Sequence, residues 1–192
     1  MFAKLGGAVL AACMFCVSMP AAAGCADLWE WLNTGCRRLV DTYEKGDDQL
    51  IVSGYAWHTP WTWTAEKRAE ENAAAWGGGW GRTVERDSGD TDTVYGLVFN
   101  DSHSRPQYQI GYGWSTYWRD RDSIQPGLGY TLMIVARNDI FNGWPFPAVL
   151  PLASVRYQRY TVYATYIPTL GGVNNGSILY IFGAISLDDR KP

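Results

Sequence analysis

Histidine is scarce in this sequence, with His58 and His103 the only two. Metal catalysis of the HExxH kind, or through a histidine cluster, therefore has little to stand on. No G-x-S-x-G nucleophile elbow is present. A nucleotide-binding loop is missing as well. Trp76-Gly77-Gly78-Gly79-Trp80-Gly81 is rich in glycine but lacks the Lys-Ser/Thr of a P-loop. Barrels use such glycines for tight curvature instead. There is no basic run, and the formal net charge is −3, which argues against nucleic acid as the main partner. Beyond the first residues, no stretch has the length and apolarity of a transmembrane helix. The expectation is a single domain, needing neither metal nor cofactor.

What the sequence has in excess is aromatic residues, with 10 Trp and 12 Tyr in 192 residues. Such an excess serves a large core, a ring-lined binding surface or the interfacial girdles of a membrane barrel. The N-terminus reads as a targeting segment. Lys4 supplies a positive charge, an apolar stretch runs from Leu5 to Val17, and the small residues Ala21-Ala22-Ala23 follow. That is the order of a secretory signal peptide over residues 1–23. The mature part, 24–192, then carries 15 basic residues, one fewer than the 16 of the whole chain, against 19 acidic. Cys13 and Cys16 leave with the signal. Cys25 and Cys36 remain, and if one helix holds both they are too far apart to bridge. Gly24-Cys25 has the look of a lipoprotein cleavage site, but Ala22 is not the large aliphatic expected three residues before the cysteine. The expectation is neither a disulfide nor a lipid on Cys25.

Ala26 to Tyr43 reads as an amphipathic helix. Leu28, Trp29, Leu32, Cys36, Leu39, Val40 and Tyr43 recur at helical spacing, with charged residues on the other face. After Gln49 the pattern changes to short β-rich runs between turn signals. About eight strands of roughly ten residues are expected, the length a tilted strand needs to cross a bilayer. They lie near Leu50–His58, Trp76–Glu85, Thr93–Asp101, Gln107–Arg119, Gly127–Arg137, Ala148–Tyr157, Tyr160–Tyr166 and Ile178–Leu187. Thr59–Ala75, Ser102–Pro106, Asn138–Pro147 and Thr169–Ser177 follow odd strands. Arg86–Asp92, Asp120–Pro126 and the tight Gln158-Arg159 turn follow even ones. With the N-terminus in the periplasm, the odd-strand loops lie outside. That arrangement belongs to even-stranded outer-membrane barrels. A soluble lipocalin-like barrel has a similar strand count and fits the residue pattern too.

One constellation can carry chemistry. His58 ends the first strand, Asp101 and Ser102 end the third, and both ends point to one rim. A hydroxyl, an imidazole and a carboxylate are the parts of acyl transfer. Asp-Ser is also an ordinary turn opener, and a lone strand-end histidine is often structural.

Several strings add to this reading. Ala56-Trp57-His58, Trp76-Gly77-Gly78-Gly79, Asp101-Ser102, Gly111-Tyr112-Gly113-Trp114, Ala136-Arg137, Leu150-Pro151-Leu152-Ala153-Ser154, Tyr166-Ile167-Pro168 and Asn174-Asn175-Gly176 together resemble the lipid A palmitoyltransferases, the PagP family. They occur in that family's order and near its spacing, and they cover essentially the whole mature chain. The resemblance implies an all-β fold, an eight-stranded antiparallel outer-membrane barrel with an N-terminal amphipathic α-helix at its periplasmic end. It implies an enzyme that moves palmitate from the sn-1 position of a phospholipid donor to a hydroxyacyl chain of lipid A. His58, Asp101 and Ser102 match the family's catalytic residues. Gly113 matches its chain-length ruler, where the missing side chain deepens the acyl cavity. Pro151 and Pro168 match prolines that open a lateral gap between strands, since proline donates nothing to the ladder. Arg137 and Ser154 are expected to face the outer half and position lipid headgroups or the acceptor. The expected molecule is a monomer with its active-site loops facing the cell exterior.

The residues themselves leave some points open. Ser102 is a nucleophile or only a polariser of the ester carbonyl, and His103 is a local rival to His58 as the base. Two departures from the family stand out. Ser53 and Ala75 occupy the places of the prolines at its other lateral opening, which puts the route of one lipid in doubt. Leu187 replaces the usual final aromatic, and Asp188-Asp189-Arg190-Lys191-Pro192 runs on beyond it. The competing readings are a catalytically silent lipid-binding barrel, a phospholipase using water as acceptor, and a lipocalin-like carrier.

Overall fold

The computed structural model describes residues 25, 28–120, 122–170 and 176–188. The expected signal peptide at 1–23, the Asn174-Asn175 pair and the tail from Asp189 lie outside the described residues. The chain divides into an N-terminal unit that ends at Asp41 and a second unit from Thr42 onwards.

In the N-terminal unit, helix α1 spans Glu30–Lys45 and so runs past the junction. It begins later than its apolar periodicity suggests, leaving Leu28 and Trp29 ahead of it. This late start overturns the expectation for the cysteines. Cys25 and Cys36 form a disulfide, with Cα atoms 5.7 Å apart, inside the range that a bridge needs. Cys25 does not continue the helix but precedes it in a turned-back segment. Its carbonyl accepts from the Leu28 N–H at 3.3 Å and from the Asn33 Nδ2 amide at 2.6 Å. A sulfur spent on this bridge is not available for acylation.

The second unit is a barrel of eight antiparallel strands: β1 (Asp47–His58), β2 (Gly77–Glu85), β3 (Thr91–Asn100), β4 (Pro106–Tyr117), β5 (Gln125–Ala136), β6 (Phe146–Tyr157), β7 (Tyr160–Ile167) and β8 (Ile178–Ser186). Each pairs with its sequence neighbour, and β1 closes the barrel on β8. Every expected strand is present, with ends shifted by a few residues. A short helix, α2 (Ala65–Glu70), lies in the β1–β2 connection; the Thr64 hydroxyl caps it, accepting from the Lys67 N–H.

Side-chain alternation explains why this sequence closes on itself. Along β7, Thr161, Tyr163 and Thr165 are buried while Tyr160, Val162 and Tyr166 are exposed, the period of a pleated strand. The inward set around the middle of the barrel includes Ile51, Leu97, Phe99, Leu152, Tyr163 and Tyr180. The outward set is more apolar than water tolerates. Leu50, Val52, Val98, Ile110, Leu132, Ile134, Val149, Val155 and Val162 all stand exposed. A continuous exterior of this kind belongs in lipid. The glycines of β2 allow tight curvature: a Cβ on Gly79 would lie 2.1 Å from the Gly96 carbonyl oxygen of β3.

The interior is divided along its length. Toward the even-numbered turns it is polar. Arg156 donates to Gln125 at 2.8 Å and lies over the Tyr117 ring, Arg86 pairs with the fully buried Asp92 at 2.6 Å, and Tyr112 donates to the same carboxylate. Toward the odd-numbered loops it is apolar and hollow, and that is where the candidate site lies.

Candidate active site

β1 delivers His58 to the rim at its last residue, and the β3–β4 turn delivers Asp101 and Ser102. The structure brings the first and last of these together: His58 Nε2 is 3.0 Å from Ser102 Oγ. The imidazole is only 5 % exposed and meets the Trp63 indole edge-on at 5.0 Å between centroids. Trp63 is itself fixed, its Nε1 donating to the Ser177 carbonyl at 3.0 Å. Thr59 and Ser177, both fully buried, tie the same loop to the start of β8 through hydroxyls 2.6 Å apart.

Asp101 behaves differently from a triad carboxylate. Its Oδ1 accepts from the backbone N–H groups of His103 at 2.9 Å and Arg105 at 2.8 Å. Its Oδ2 faces Arg137 at 3.6 Å. Among the described residues no hydrogen bond joins it to His58. Asp101 therefore builds the turn that presents Ser102. Arg137 in turn grips Asp139 through two hydrogen bonds, of 3.0 and 2.7 Å. Partial burial would raise the Asp139 carboxyl, but the hydrogen bonds and charge of Arg137 outweigh it and hold the group below the usual carboxylate range.

The carboxylate nearest to His58 belongs to a residue that sequence reading missed. Glu71 caps the C-terminal end of α2, with its Oε2 4.0 Å from His58 Nε2 and its Oε1 3.9 Å from His103 Nε2. Nothing in its pattern marks it, because Lys67-Arg68-Ala69-Glu70-Glu71 reads as a solvated helix end. The exposed His103 also faces Asp139 at 3.8 Å.

Below the rim, an apolar cavity leads inward from Ser102 and Arg137 past Met133, Val135, Phe146 and Leu150. A second, deeper hollow holds Gly113, Ile51, Leu97 and Leu152. Tyr95, Thr131 and Phe182 line both, and the Tyr95 and Thr131 hydroxyls are 2.7 Å apart. Gly111 and Gly113 share a face but differ in surroundings. A Cβ on Gly111 would sit 2.7 Å from the Tyr95 ring, whereas one on Gly113 would have only the Tyr130 carbonyl at 3.9 Å. The space at Gly113 is real.

The barrel wall is uneven. β6 and β7 pair only from Leu152↔Thr165 to Tyr157↔Tyr160. The rim half of β6, from Phe146 to Pro151, has no ladder partner in β7. This gap adjoins the cavity, which Ala148, Leu150 and Ile167 also line. Pro151 stands where pairing stops, its carbonyl accepting from Thr165 Oγ1 at 2.7 Å. Another stretch of wall, beside β1, is stitched shut at Ser53 and Ala75. The Ala75 N–H donates to the Gly54 carbonyl at 3.0 Å, the Ala56 N–H donates to the Ala73 carbonyl at 2.8 Å, and the Ser53 hydroxyl donates to the Ala75 carbonyl. One expected site residue is not at the rim. Ser154 pairs with Gly127 near the start of β5, so strand register puts it in the half toward the even-numbered turns. Its buried hydroxyl has no hydrogen-bond partner among the described residues.

Residues 38–184 match the family described as "Antimicrobial peptide resistance and lipid A acylation protein PagP". The chain belongs to the PagP family. Among its relatives is the lipid A acyltransferase PagP of Bordetella pertussis (strain Tohama I), 38% identical over 170 residues, covering 88% of this chain and 92% of that protein. The Legionella pneumophila protein of the same name is 39% identical over 156 residues, with 81% and 82% covered. That of Methylobacillus flagellatus is 34% identical over 169 residues, with 88% and 91% covered. PagP membership and the closed apolar-faced barrel together place the chain in an outer membrane.

Proposed function

We propose that this PagP-family protein is a phospholipid:lipid A palmitoyltransferase that moves the sn-1 palmitoyl chain of a phospholipid to a hydroxyl of lipid A. The observation that carries the reading is the His58–Ser102 pair, 3.0 Å apart, at the mouth of an apolar cavity that continues toward Gly113. The palmitoyl chain lies in the cavity, its ester carbonyl beside Ser102. His58 takes the proton of the acceptor hydroxyl as that oxygen attacks the carbonyl carbon. The donor C–O bond breaks, and the lysophospholipid leaves with the proton. Ser102 polarises the carbonyl or forms a transient acyl ester, and acyl-enzyme trapping distinguishes these roles.

Arg137 places a lipid phosphate at the rim, and the β6–β7 gap admits lipid from the bilayer. Residues 1–23 direct export, the rim faces the cell exterior, and the barrel acts as a monomer without metal or cofactor. The test is mass spectrometry of lipid A from cells that express the protein. The wild type adds one palmitoyl mass. His58→Phe and Ser102→Ala form heat-modifiable barrels that add none, and His103→Ala has a mild effect. Palmitoylation at the normal level by either rim variant refutes the assignment. Unmodified lipid A with released lysophospholipid would favour a phospholipase.

A further inference from the structure

The active site contains a carboxylate that neither the turn of Asp101 nor the barrel wall needs. Glu71 is largely buried, with a side chain 12% exposed, and its Oε2 has no hydrogen-bond partner among the described residues. That oxygen is the one facing His58, at 4.0 Å. A desolvated carboxylate oxygen left unbonded is costly, so its place calls for a cause.

The segment that carries it is fixed on two sides. The Asn72 N–H donates to the Ser102 carbonyl at 2.8 Å, and the Asn72 amide donates to the Ser104 hydroxyl at 3.1 Å. Ala73 and Ala75 are hydrogen-bonded to β1 at Ala56 and Gly54. The connector after α2 thus ties the strand that ends in His58 to the turn that carries Ser102, with Glu71 between them.

We propose that Glu71 is a positioning residue for acyl transfer, supplying the negative charge that stabilises the His58 imidazolium as it forms. The inference rests on His58 being the base. As His58 takes the acceptor's proton, it gains a positive charge in a poorly hydrated rim. A fixed carboxylate about 4 Å away lowers the energy of that state. The acceptor's proton stays on His58 until the lysophospholipid leaves with it. The other charged or titratable groups near the ring do not substitute for it. His103, from the β3–β4 turn, faces Glu71 and Asp139. Asp101 and Asp139 are both engaged with Arg137. Trp63, on the remaining side, carries no charge.

The test is Glu71→Gln, assayed as purified protein in detergent micelles with phospholipid donor and lipid A acceptor. We expect kcat to fall by about tenfold with KM unchanged. We also expect the acid limb of the pH–rate profile to move to lower pH by about one unit, since removing an adjacent negative charge disfavours the protonated ring. His103→Asn should not move the limb to lower pH, because charge on His103 disfavours the protonated His58 ring. A fall in kcat with no movement of the limb means a structural role and overturns the inference, as does an unchanged enzyme. If His58→Phe is inactive in the same assay, only the role of Glu71 fails; if His58→Phe is active, the underlying reading fails. Should Glu71→Gln not fold, Glu71→Asp decides. Withdrawing the charge by one methylene should move the limb in the same direction by less, and a limb identical to that of the wild type overturns the proposal.

Discussion

Asp101 is the residue whose role the geometry changes most. Its place beside Ser102 suggests a carboxylate that orients the imidazole, yet its hydrogen bonds go to two backbone N–H groups of its own turn. A charged acceptor of this kind contributes about 2 kcal/mol to local stability. We therefore expect Asp101→Ala to lower barrel stability by about that amount and to lose transfer because Ser102 is no longer held. Asp101→Asn keeps an amide oxygen for the same N–H groups and should retain most of both. Thermal unfolding and transfer rate, measured on one preparation of each variant, check this. A well-folded but inactive Asp101→Asn would show that the charge acts on the chemistry itself.

At the scale of elements, strands are more legible than the helix region. Residue alternation and turn chemistry mark a strand wherever one face is buried, so all the β-runs appear within a few residues of their expected ends. The alternation of the connections likewise puts His58 and Ser102 at one rim. Helical periodicity overshoots, because Leu28 and Trp29 keep the spacing of α1 without belonging to it. The disulfide then follows from a turned-back Cys25 that periodicity does not encode. Glu71 is hidden for a related reason: it sits at the end of a six-residue helix inside a long connection, and the hydrogen bonds of Asn72, Ala73 and Ala75 that bring it to the site join it to residues distant in sequence. Ser154 shows the limit of motif reading, since position within a strand, not membership of a motif, decides which half of the barrel a side chain reaches. For the cysteines the expected outcome is now definite. The intact mass of the mature protein should rise by two hydrogens on reduction, with no acyl mass on Cys25. The bridge closes a loop wholly within residues 25–36, so reduction should leave the unfolding midpoint of the barrel unchanged. An unaltered mass on reduction would show the thiols to be free.

At the scale of the whole molecule, the barrel is a tube with a reactive polar mouth, an apolar upper cavity, a deeper hollow and a polar base. A tube of fixed depth measures whatever linear chain fills it. The deeper hollow is open at Gly113, where an added Cβ meets nothing closer than 3.9 Å. At Gly111 the same addition strikes Tyr95, so only Gly113 is free to act as a depth stop. Gly113→Met would place about four heavy atoms where chain methylenes otherwise lie. Each methylene left unburied costs about 0.8 kcal/mol. Three or four of them make roughly 2–3 kcal/mol, a change in preference of about 100-fold at roughly 1.4 kcal/mol per tenfold. The variant should therefore reject a sixteen-carbon donor and accept one roughly four carbons shorter. Competition between donors of different length, read by mass spectrometry of the acylated product, measures this directly. Overpacking can distort a barrel, so heat-modifiable migration is checked in the same sample. A folded Gly113→Met enzyme that still prefers palmitate would place the end of the acyl chain above the Tyr95–Thr131 pair, and Tyr95 would then be the floor of the cavity.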